Sequence, residues 1–334
     1  MNKKTTKFLT YTAFLLLGIA LFWRCLHNLD IKEFWTDIRS ARYFWMLLNL
    51  VCLAISLYFR ALRWNILLNT MGYKTKGKTT YGAILIAYLA NIIVPRLGDV
   101  VRCSVLSKKS NIPFNKSLGT VISEFVIDLA MLFIMGVAVM LFQWDIFDTY
   151  IINGSGGNWK NKILVITALA VILVVAIIAV IIIIKKNKKI AELWDGFVTG
   201  VKSVLTMNKK GLFIFYTVMI WLFYIIMTWL PFYMMNETSH LGITEATTLV
   251  VFVSLGAILP VPGNIGIYHS ISDYLLNHFY LVNTSAAKAF VIINHASQML
   301  FYILTGGVTY LFMFVFQREK THYEQSEGNR EQDS

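Results

Sequence analysis

The segment "NIIVPRLGDVVR", residues 91–102, breaks an otherwise apolar stretch with a proline, a glycine, an aspartate and two arginines. It directly follows "TTYGAILIAYLA", which is apolar enough to enter a bilayer. Charged groups and broken helices are both costly in lipid, because no water is present there to bind their polar atoms. The segment is therefore predicted to lie where protein or a water-filled cavity surrounds it.

The chain as a whole has the composition of a polytopic membrane protein. Of its 334 residues, 57% are hydrophobic and 14% are charged, whereas about a quarter of an average soluble domain is charged. Several apolar runs reach the roughly 20 residues that cross a bilayer. We expect an all-α bundle with full spans near residues 8–23, 43–59, 117–142, 163–184, 212–233 and 286–316. The first run is interpreted as an uncleaved span rather than a signal peptide, because no small-residue cleavage site follows it.

The net charge of +12 is explained by basic residues in the loops beside the spans, not by nucleic-acid binding. Lys3 and Lys4 precede the first span, and Arg318 and Lys320 follow the last one. By the positive-inside rule, both termini are expected in the cytoplasm of a bacterial cell, with the chain in its cytoplasmic membrane. The three cysteines show no paired spacing, so neither a disulfide framework nor a zinc site is expected.

Basic residues flank the first broken segment on both sides, which conflicts with a single crossing. A re-entrant hairpin that enters near residue 79, turns between Pro95 and Gly98 and leaves on the same side removes the conflict. A second broken segment, residues 249–276, contains four turn residues: Pro260, Pro262, Gly263 and Gly266. Paired broken segments predict an inverted repeat with a binding site between them. The alternative is eight ordinary crossings.

The proposed repeat divides one membrane domain, residues 1–318, into halves near 1–142 and 161–316. The polar residues 319–334 are expected to be a disordered cytoplasmic tail.

Polar side chains at membrane depth mark the candidate site. Glu124 and Asp128 are spaced i, i+4 and share a helix face, which should meet the bundle interior or water. Planar guanidinium groups bind phosphate in a bidentate manner. We therefore assign lipid-phosphate binding to Arg96, Arg102 and Asn91. Gating or proton and ion coupling is assigned to Asp99, Glu124, Asp128 and His295.

Simpler roles stay open for several of these side chains. Arg96 and Arg102 would also serve as membrane anchors, and Glu124 would also serve in a structural ion pair with an arginine of the hairpin. Arg60 and Arg63, beside Trp64, are interpreted as interfacial side chains whose charged ends reach water. His295 would also serve as a hydrogen-bonded helix-packing residue. By contrast, the i, i+4 spacing of His269 and Asp273 is a signal for a metal site or a proton relay.

The motifs "RALRWNILLNTMG", "NIIVPRLGDVVR", "SLGTVISEFVIDLA" and "LPVPGNIG" occur in that order over residues 59–266. With them the chain resembles the transmembrane (flippase) region of lysylphosphatidylglycerol synthases and its stand-alone relatives. The resemblance implies a membrane protein that moves or binds lipids. By this resemblance, the functional and turn positions of the family motifs correspond to these residues: Asn91, Pro95, Arg96, Gly98, Asp99, Arg102, Glu124, Asp128, Pro260, Pro262, Gly263 and Gly266.

The chain departs from the family pattern at three places. Asn264 stands where a second glycine is usual, Phe125 stands where a basic residue is common, and no acidic residue is found next to His269. Few residues follow the last span, so the soluble synthase domain and aminoacyl-lipid synthesis are not expected.

Three classes of function remain on these grounds. The first is a lipid translocator or lipid-binding transport protein for a phospholipid or a polyprenyl-linked lipid. The second is a membrane enzyme acting on a lipid head group, and the third is a non-catalytic partner of a separate synthase. We expect membrane lipids as partners, no nucleic acid, no cofactor, no metal and no catalytic residue. A separate synthase and a homo-oligomer stay open as protein partners.

Overall fold

The computed structural model describes residues 3–27, 29–143, 207 and 209–316, and regular structure in these residues is helical. Ten α-helices are assigned in them: α1 Lys3–Leu26, α2 Ile31–Ser40, α3 Tyr43–Thr70, α4 Gly77–Ile93, α5 Leu97–Ser110, α6 Phe114–Phe142, α7 Lys210–Trp229, α8 Ile243–Gly256, α9 Ile267–Tyr274 and α10 Thr284–Tyr310. Shorter turns are the 3₁₀ segments Leu230–Met234 and Pro262–Asn264 and the π segments Leu275–Phe279 and Leu311–Phe316. The expected span at 163–184 and the tail at 319–334 lie outside the described residues.

The all-α membrane class predicted from composition is confirmed. Four described helices are long and apolar enough to cross a bilayer: Tyr43–Thr70, Phe114–Phe142, Lys210–Met234 and Thr284–Val315. A fifth crossing results if Tyr11–Leu26 and Ile31–Ser40, which meet at 91°, form one bent span. The protein is therefore an integral membrane protein.

Helix α2 is the amphipathic connector that follows the first span. Asp30 caps its first turn by accepting hydrogen bonds from the backbone N–H groups of Lys32 and Glu33. Phe34 and Ile38 pack against a buried cluster, while Trp35 stays 53% exposed. One face of this short helix thus lies on the bundle and the other faces away from it.

Helix α3 is longer than the predicted span, which ended near residue 59. It continues to Thr70 and carries Arg60 and Arg63 inside the bundle. The prediction took these arginines as a sign that the span had ended. The helix continues because both guanidinium groups have hydrogen-bond partners on neighbouring helices.

The first broken segment forms a helical hairpin made of α4 and α5, packed side by side. The turn lies at Val94, Pro95 and Arg96, where proline removes a helical N–H group. Gly98 allows the two arms to touch: a β-carbon there would overlap the carbonyl oxygen of Ala87. The turn thus includes Pro95, whereas Gly98, the other end of the predicted turn, lies in the first turn of α5.

The second broken segment is also a hairpin, formed by α8 and α9 with residues 257–266 between them. Gly266 has a φ of 84°, which favours glycine. A β-carbon at Gly266 would overlap the carbonyl oxygen of Gly18 in α1. The tip of this hairpin is therefore held tightly against the first helix.

Helix packing brings both hairpins to the centre of the bundle. Helix α3 packs on α7, α4 of the first hairpin packs on α10, and α8 of the second hairpin packs on α6. Each hairpin thus rests on a long helix distant from it in sequence. The half-repeats at 1–142 and 161–316 stay a prediction.

The hairpin geometry predicts that both ends of the first broken segment lie on one side of the membrane. In a chain without its native cysteines, Lys76→Cys and Lys108→Cys are expected to react with a membrane-impermeant maleimide from the same side. Glu237→Cys, exposed beyond the far end of α7, is the control and is expected to react from the other side. Labelling of the two lysine positions from opposite sides would contradict the re-entrant arrangement.

Candidate functional site

The tips of the two hairpins face each other across a cavity of about 530 Å³. The first tip contributes Asn91, Pro95, Arg96 and Asp99, and the second contributes residues 257–261, Gly263 and Asn264. The remaining wall comes from the arms α4 and α9 of the hairpins and from the long helices α3, α6, α7 and α10, and it includes Arg60, Tyr88, Phe125, Asp128, Trp221, Tyr224, Tyr268, His295, Gln298 and Tyr302. The cavity therefore lies at mid-height in the bundle and combines aromatic surface with charged groups.

Arg96 joins the two tips. It has a left-handed backbone with φ of 60°, which is uncommon for a residue other than glycine. Its guanidinium donates a hydrogen bond of 3.1 Å to the carbonyl oxygen of Ile258 in the second tip. The same group lies 5.8 Å from the ring centroid of Phe125 on α6. The turn conformation thus directs an exposed cation to the point where the tips meet.

Asn91 ties the first tip together. Its side-chain oxygen accepts a 2.7 Å hydrogen bond from the backbone N–H of Gly98, near the start of α5. This contact satisfies one of the free N–H groups at the helix N-terminus. Asn91 also lies on the cavity wall, so it has a structural contact besides the lipid contact expected of it.

The second tip is ordered by histidines behind it. Nε2 of His295 lies 3.1 Å from the carbonyl oxygen of Gly263, and its ring stacks on Tyr268 at 4.8 Å. His269 lies 4.7 Å from His295, and its Nδ1 accepts a hydrogen bond from the backbone N–H of Gly266. Both histidines thus contact the Pro/Gly turn.

An ion network lies directly behind the first tip. Arg63 on α3 binds Asp128 on α6 through two hydrogen bonds, of 2.6 and 2.9 Å, and lies 3.5 Å from Glu124. Arg102 on α5 binds Glu124 at 2.6 Å and Asp99 at 3.1 Å. The network joins three helices and contains two arginines against three carboxylates.

Burial differs sharply within this network. The side chains of Arg63 and Glu124 are 0% and 1% exposed, while that of Asp128 is 27% exposed and reaches the cavity. The Arg102 guanidinium lies 4.8 Å from the ring centroid of Trp64, whose indole N–H donates to Thr120. The expected contact between Glu124 and an arginine of the hairpin is therefore present, and Arg102 is the partner.

Arg102 lies behind the first tip and not on the cavity wall, where the sequence pattern predicts it. It was expected beside Arg96 at the lipid phosphate, but it is 3% exposed and two carboxylates bind it. Arg96 precedes α5 and has a left-handed backbone, so helical spacing does not place it on the face of Arg102, which is turned toward Glu124 on α6. Its assignment to phosphate binding stays a prediction, and its observed contacts are those of a positioning residue.

Arg60 is a candidate site residue, although its sequence context predicts a position at the membrane interface. It lines the cavity, donates a 2.8 Å hydrogen bond to the Tyr88 hydroxyl and lies 5.8 Å from that ring. Tyr88 in turn stacks on Tyr302 of α10 at 4.6 Å. Within the described part of the chain, neither Arg60 nor Arg96 forms an ion pair. The interfacial interpretation of Arg60 and Arg63 is wrong, because both lie inside the bundle.

Helix α10 has a polar face that is hydrogen-bonded to neighbouring helices. Asn294 accepts hydrogen bonds from the side-chain amides of Asn49 and Gln298 and donates one to the Tyr268 hydroxyl. Gln298 and Tyr268 both line the cavity. This chain of hydrogen bonds fixes α9 and α3 against α10.

A second cavity of about 580 Å³ lies between α1, α8 and α9. Arg24, Asp273 and His278 are on its wall together with apolar side chains. The suggested pairing of His269 with Asp273 has no third ligand: among the described residues no group of three His, Cys, Asp or Glu side chains fits a metal ion.

Comparison with known protein families identifies the family of the chain. The family described as the lysylphosphatidylglycerol synthase TM region matches residues 11–306, which include both hairpins and the ion network. The chain belongs to this family. Family membership shows a membrane protein with a lipid-related function, as the sequence motifs implied.

One curated relative is similar over a short segment. This protein, the glycosyltransferase AglD of Haloferax volcanii, is 34% identical over 80 residues, which are 24% of this chain and 13% of the relative. The match covers only a small part of the relative's length. No solved structure matches the chain.

Proposed function

We propose that this protein binds a membrane lipid in the cavity between its two hairpins and moves it across the bilayer. The observation that carries the proposal is the placement of two arginines without ion pairs, Arg60 and Arg96, on the wall of a cavity at mid-height in an apolar bundle. A cation without an ion pair at membrane depth is expensive unless water or a ligand compensates it. The cargo would be a phospholipid or a polyprenyl-linked lipid, whose phosphate supplies that partner.

The cavity wall suits a lipid head group in size and chemistry. A volume of about 530 Å³ lies within the usual range for small-molecule sites, about 300–1,000 Å³. Arginine binds phosphate through two parallel hydrogen bonds. Asp99 and Asp128 are each bound by an arginine, and the site as a whole holds one more arginine than carboxylates, so its net charge attracts a phosphate.

The tip contact provides a gate. Arg96 donates to the carbonyl oxygen of Ile258 across the cavity, so an arriving phosphate would compete for the same guanidinium. Lipid binding would then free the second tip from the first. A ligand that binds the separated state more tightly shifts the protein toward it, which any coupled conformational change requires.

In this proposal the protein resides in the cytoplasmic membrane of a bacterium with both termini in the cytoplasm. Asp99, Glu124, Asp128 and His295 serve in gating or in coupling to protons or ions. Arg102 holds Glu124 and Asp99 in place behind the first tip.

A liposome assay with fluorescent phospholipids tests the proposal. The purified protein is expected to make lipids of the inner leaflet accessible to dithionite. Arg96→Ala should slow this exchange about tenfold or more, because a lost charge-assisted hydrogen bond costs about 1.5–3 kcal/mol. Arg96→Lys should be impaired less, since it keeps the charge and loses only the planar fork.

Lys78→Ala is the matched control, because Lys78 is an exposed cation at the base of the same hairpin. It is expected to behave like the unaltered protein. Equal rates for Arg96→Ala and Lys78→Ala would show that Arg96 is only an anchor. Analysis of lipid products from the same liposomes tests the alternative of a head-group enzyme: a new lipid species would favour that alternative over transport.

A further inference from the structure

We infer that the head group taken by this cavity is an anionic polyol: a phosphodiester that carries free hydroxyl groups and no amine. The inference rests on the proposed function and specifies its cargo. It follows from three features of the cavity wall, namely the balance of charge, the aromatic faces and one buried acceptor.

The balance of charge favours an anion. The two carboxylates on the wall, Asp99 and Asp128, are each bound by an arginine of the network. For Asp128 the contact is bidentate, with both carboxylate oxygens accepting from Arg63. Counted with Glu124, three carboxylates face four arginines, and two of these arginines, Arg60 and Arg96, form no ion pair among the described residues. An ammonium group entering here would meet no unpaired carboxylate, whereas a phosphodiester would meet Arg60 and Arg96.

Aromatic faces, the other common partner of an ammonium group, are covered in part. Cations are attracted to aromatic faces within about 6 Å of the ring centroid. Arg60 already occupies such a position over Tyr88, and Arg96 occupies one over Phe125, each at 5.8 Å. Tyr88 is also stacked on Tyr302. These rings thus favour the arginines and not a second cation.

A buried acceptor calls for a donor on the ligand. Asn264 lies on the cavity wall in the second tip, and its side-chain oxygen is buried with no hydrogen-bond partner among the described residues. A buried acceptor left unpaired costs about 1–3 kcal/mol. A phosphodiester has no proton to donate, but a head-group hydroxyl has one. The phosphate would lie toward the arginines and a hydroxyl toward Asn264.

The backbone at Asn264 supports a role for this side chain. Its φ is 58°, in the left-handed region where glycine is favoured. Asparagine tolerates this conformation better than most residues, yet glycine would adopt it without strain. The unpaired side-chain oxygen at this position is available for a hydrogen bond from a ligand.

Native mass spectrometry of the purified full chain tests the inference, with pairs of lipids of identical acyl chains in competition. Phosphatidylglycerol and phosphatidylinositol are the polyol probes. Phosphatidylmethanol has the same charge and no free hydroxyl, while phosphatidylethanolamine and lysylphosphatidylglycerol carry amines. At least one polyol lipid is expected to be bound tenfold or more in preference to the other three. Comparing glycerol with inositol shows which polyol the cavity takes.

One variant tests the contact with the head-group hydroxyl, and a second variant tests the selectivity for an anionic head group. Asn264→Gly suits the backbone and is expected to keep its thermal stability; it should lose the preference for phosphatidylglycerol or phosphatidylinositol over phosphatidylmethanol. It should retain the preference for these anionic lipids over phosphatidylethanolamine. Arg60→Gln should lose that second preference.

The outcomes are distinct. Equal binding of phosphatidylmethanol and the polyol lipids would overturn the hydroxyl contact, and equal or tighter binding of an amine-bearing lipid would overturn the anionic selectivity. In both cases lipid binding itself, and with it the proposed function, would stand. Binding of none of the five lipids, together with no exchange in liposomes, would overturn the proposed function as well.

Discussion

Replacing Arg63 with methionine is expected to destabilise the protein severely and to abolish lipid transport. The arginine is fully buried and binds Asp128 through two hydrogen bonds, with Glu124 at 3.5 Å. Methionine preserves much of the volume but leaves buried carboxylate charge without its partner. Breaking a buried ion pair in this way costs about 3–5 kcal/mol. Thermal unfolding monitored by circular dichroism in detergent measures the loss.

A second substitution shows whether the uncompensated charge is the cause. Asp128→Leu in the Arg63→Met background removes the partner carboxylate and should restore much of the lost stability, since apolar replacement of a whole buried pair is often neutral. Arg39→Met, at an exposed position on α2, is the control and should unfold like the unaltered protein. If Arg63→Met were as stable as this control, the network would have no structural role.

Gly98→Ala is expected to disrupt the first hairpin and to stop transport. The added β-carbon would overlap the carbonyl oxygen of Ala87 and would lie 2.7 Å from the side-chain amide of Asn91. Helix α5 would have to move away from α4, and the Asn91 contact to the Gly98 N–H would be lost. Overpacking of this kind costs about 1–3 kcal/mol. It would also displace Arg96 and Asp99, which lie beside Gly98 on the cavity wall.

Gly119→Ala makes the same chemical change at a helical position with open space, where nothing lies within 4 Å of the added β-carbon. It should be neutral or stabilising by about 0.5–1 kcal/mol, because alanine is the better helix former. The two variants are compared by melting temperature and by lipid exchange in liposomes. Similar behaviour of the two would mean that α4 and α5 do not pack as closely as described.

The hairpin turns show what could be predicted locally. Proline removes a helical hydrogen bond and glycine permits close approach wherever they occur, so Pro95, Gly98 and Gly266 marked the breaks from sequence. The spacing of Glu124 and Asp128 likewise placed them on one helix face. The expectation that Glu124 meets an arginine of the hairpin is confirmed by its contact with Arg102.

The positions of Arg60 and Arg63 show what local pattern could not provide. Next to a tryptophan and followed by lysines, they have the composition of a membrane interface, and the predicted span ended there. Their partners are distant: Tyr88 is 28 residues from Arg60, and Asp128 is 65 residues from Arg63. Arg102 was placed in the cavity for a similar reason, since its side of α5 could not be assigned before the position of α6 was known.

The amino-acid sequence alone was enough to predict an all-α membrane protein with two broken segments and a small set of polar residues at membrane depth. These properties follow from composition and from the backbone chemistry of single residues, because lipid admits few alternatives to a hydrogen-bonded helix. Which arginines are paired with carboxylates and which face the cavity could be seen only in the packed bundle. A buried charge takes its partner from whichever helix lies beside it, and that neighbour is set by packing over the whole bundle. Arg63 and Arg102 are therefore paired with carboxylates of neighbouring side chains. Arg60 and Arg96 lie on the cavity wall.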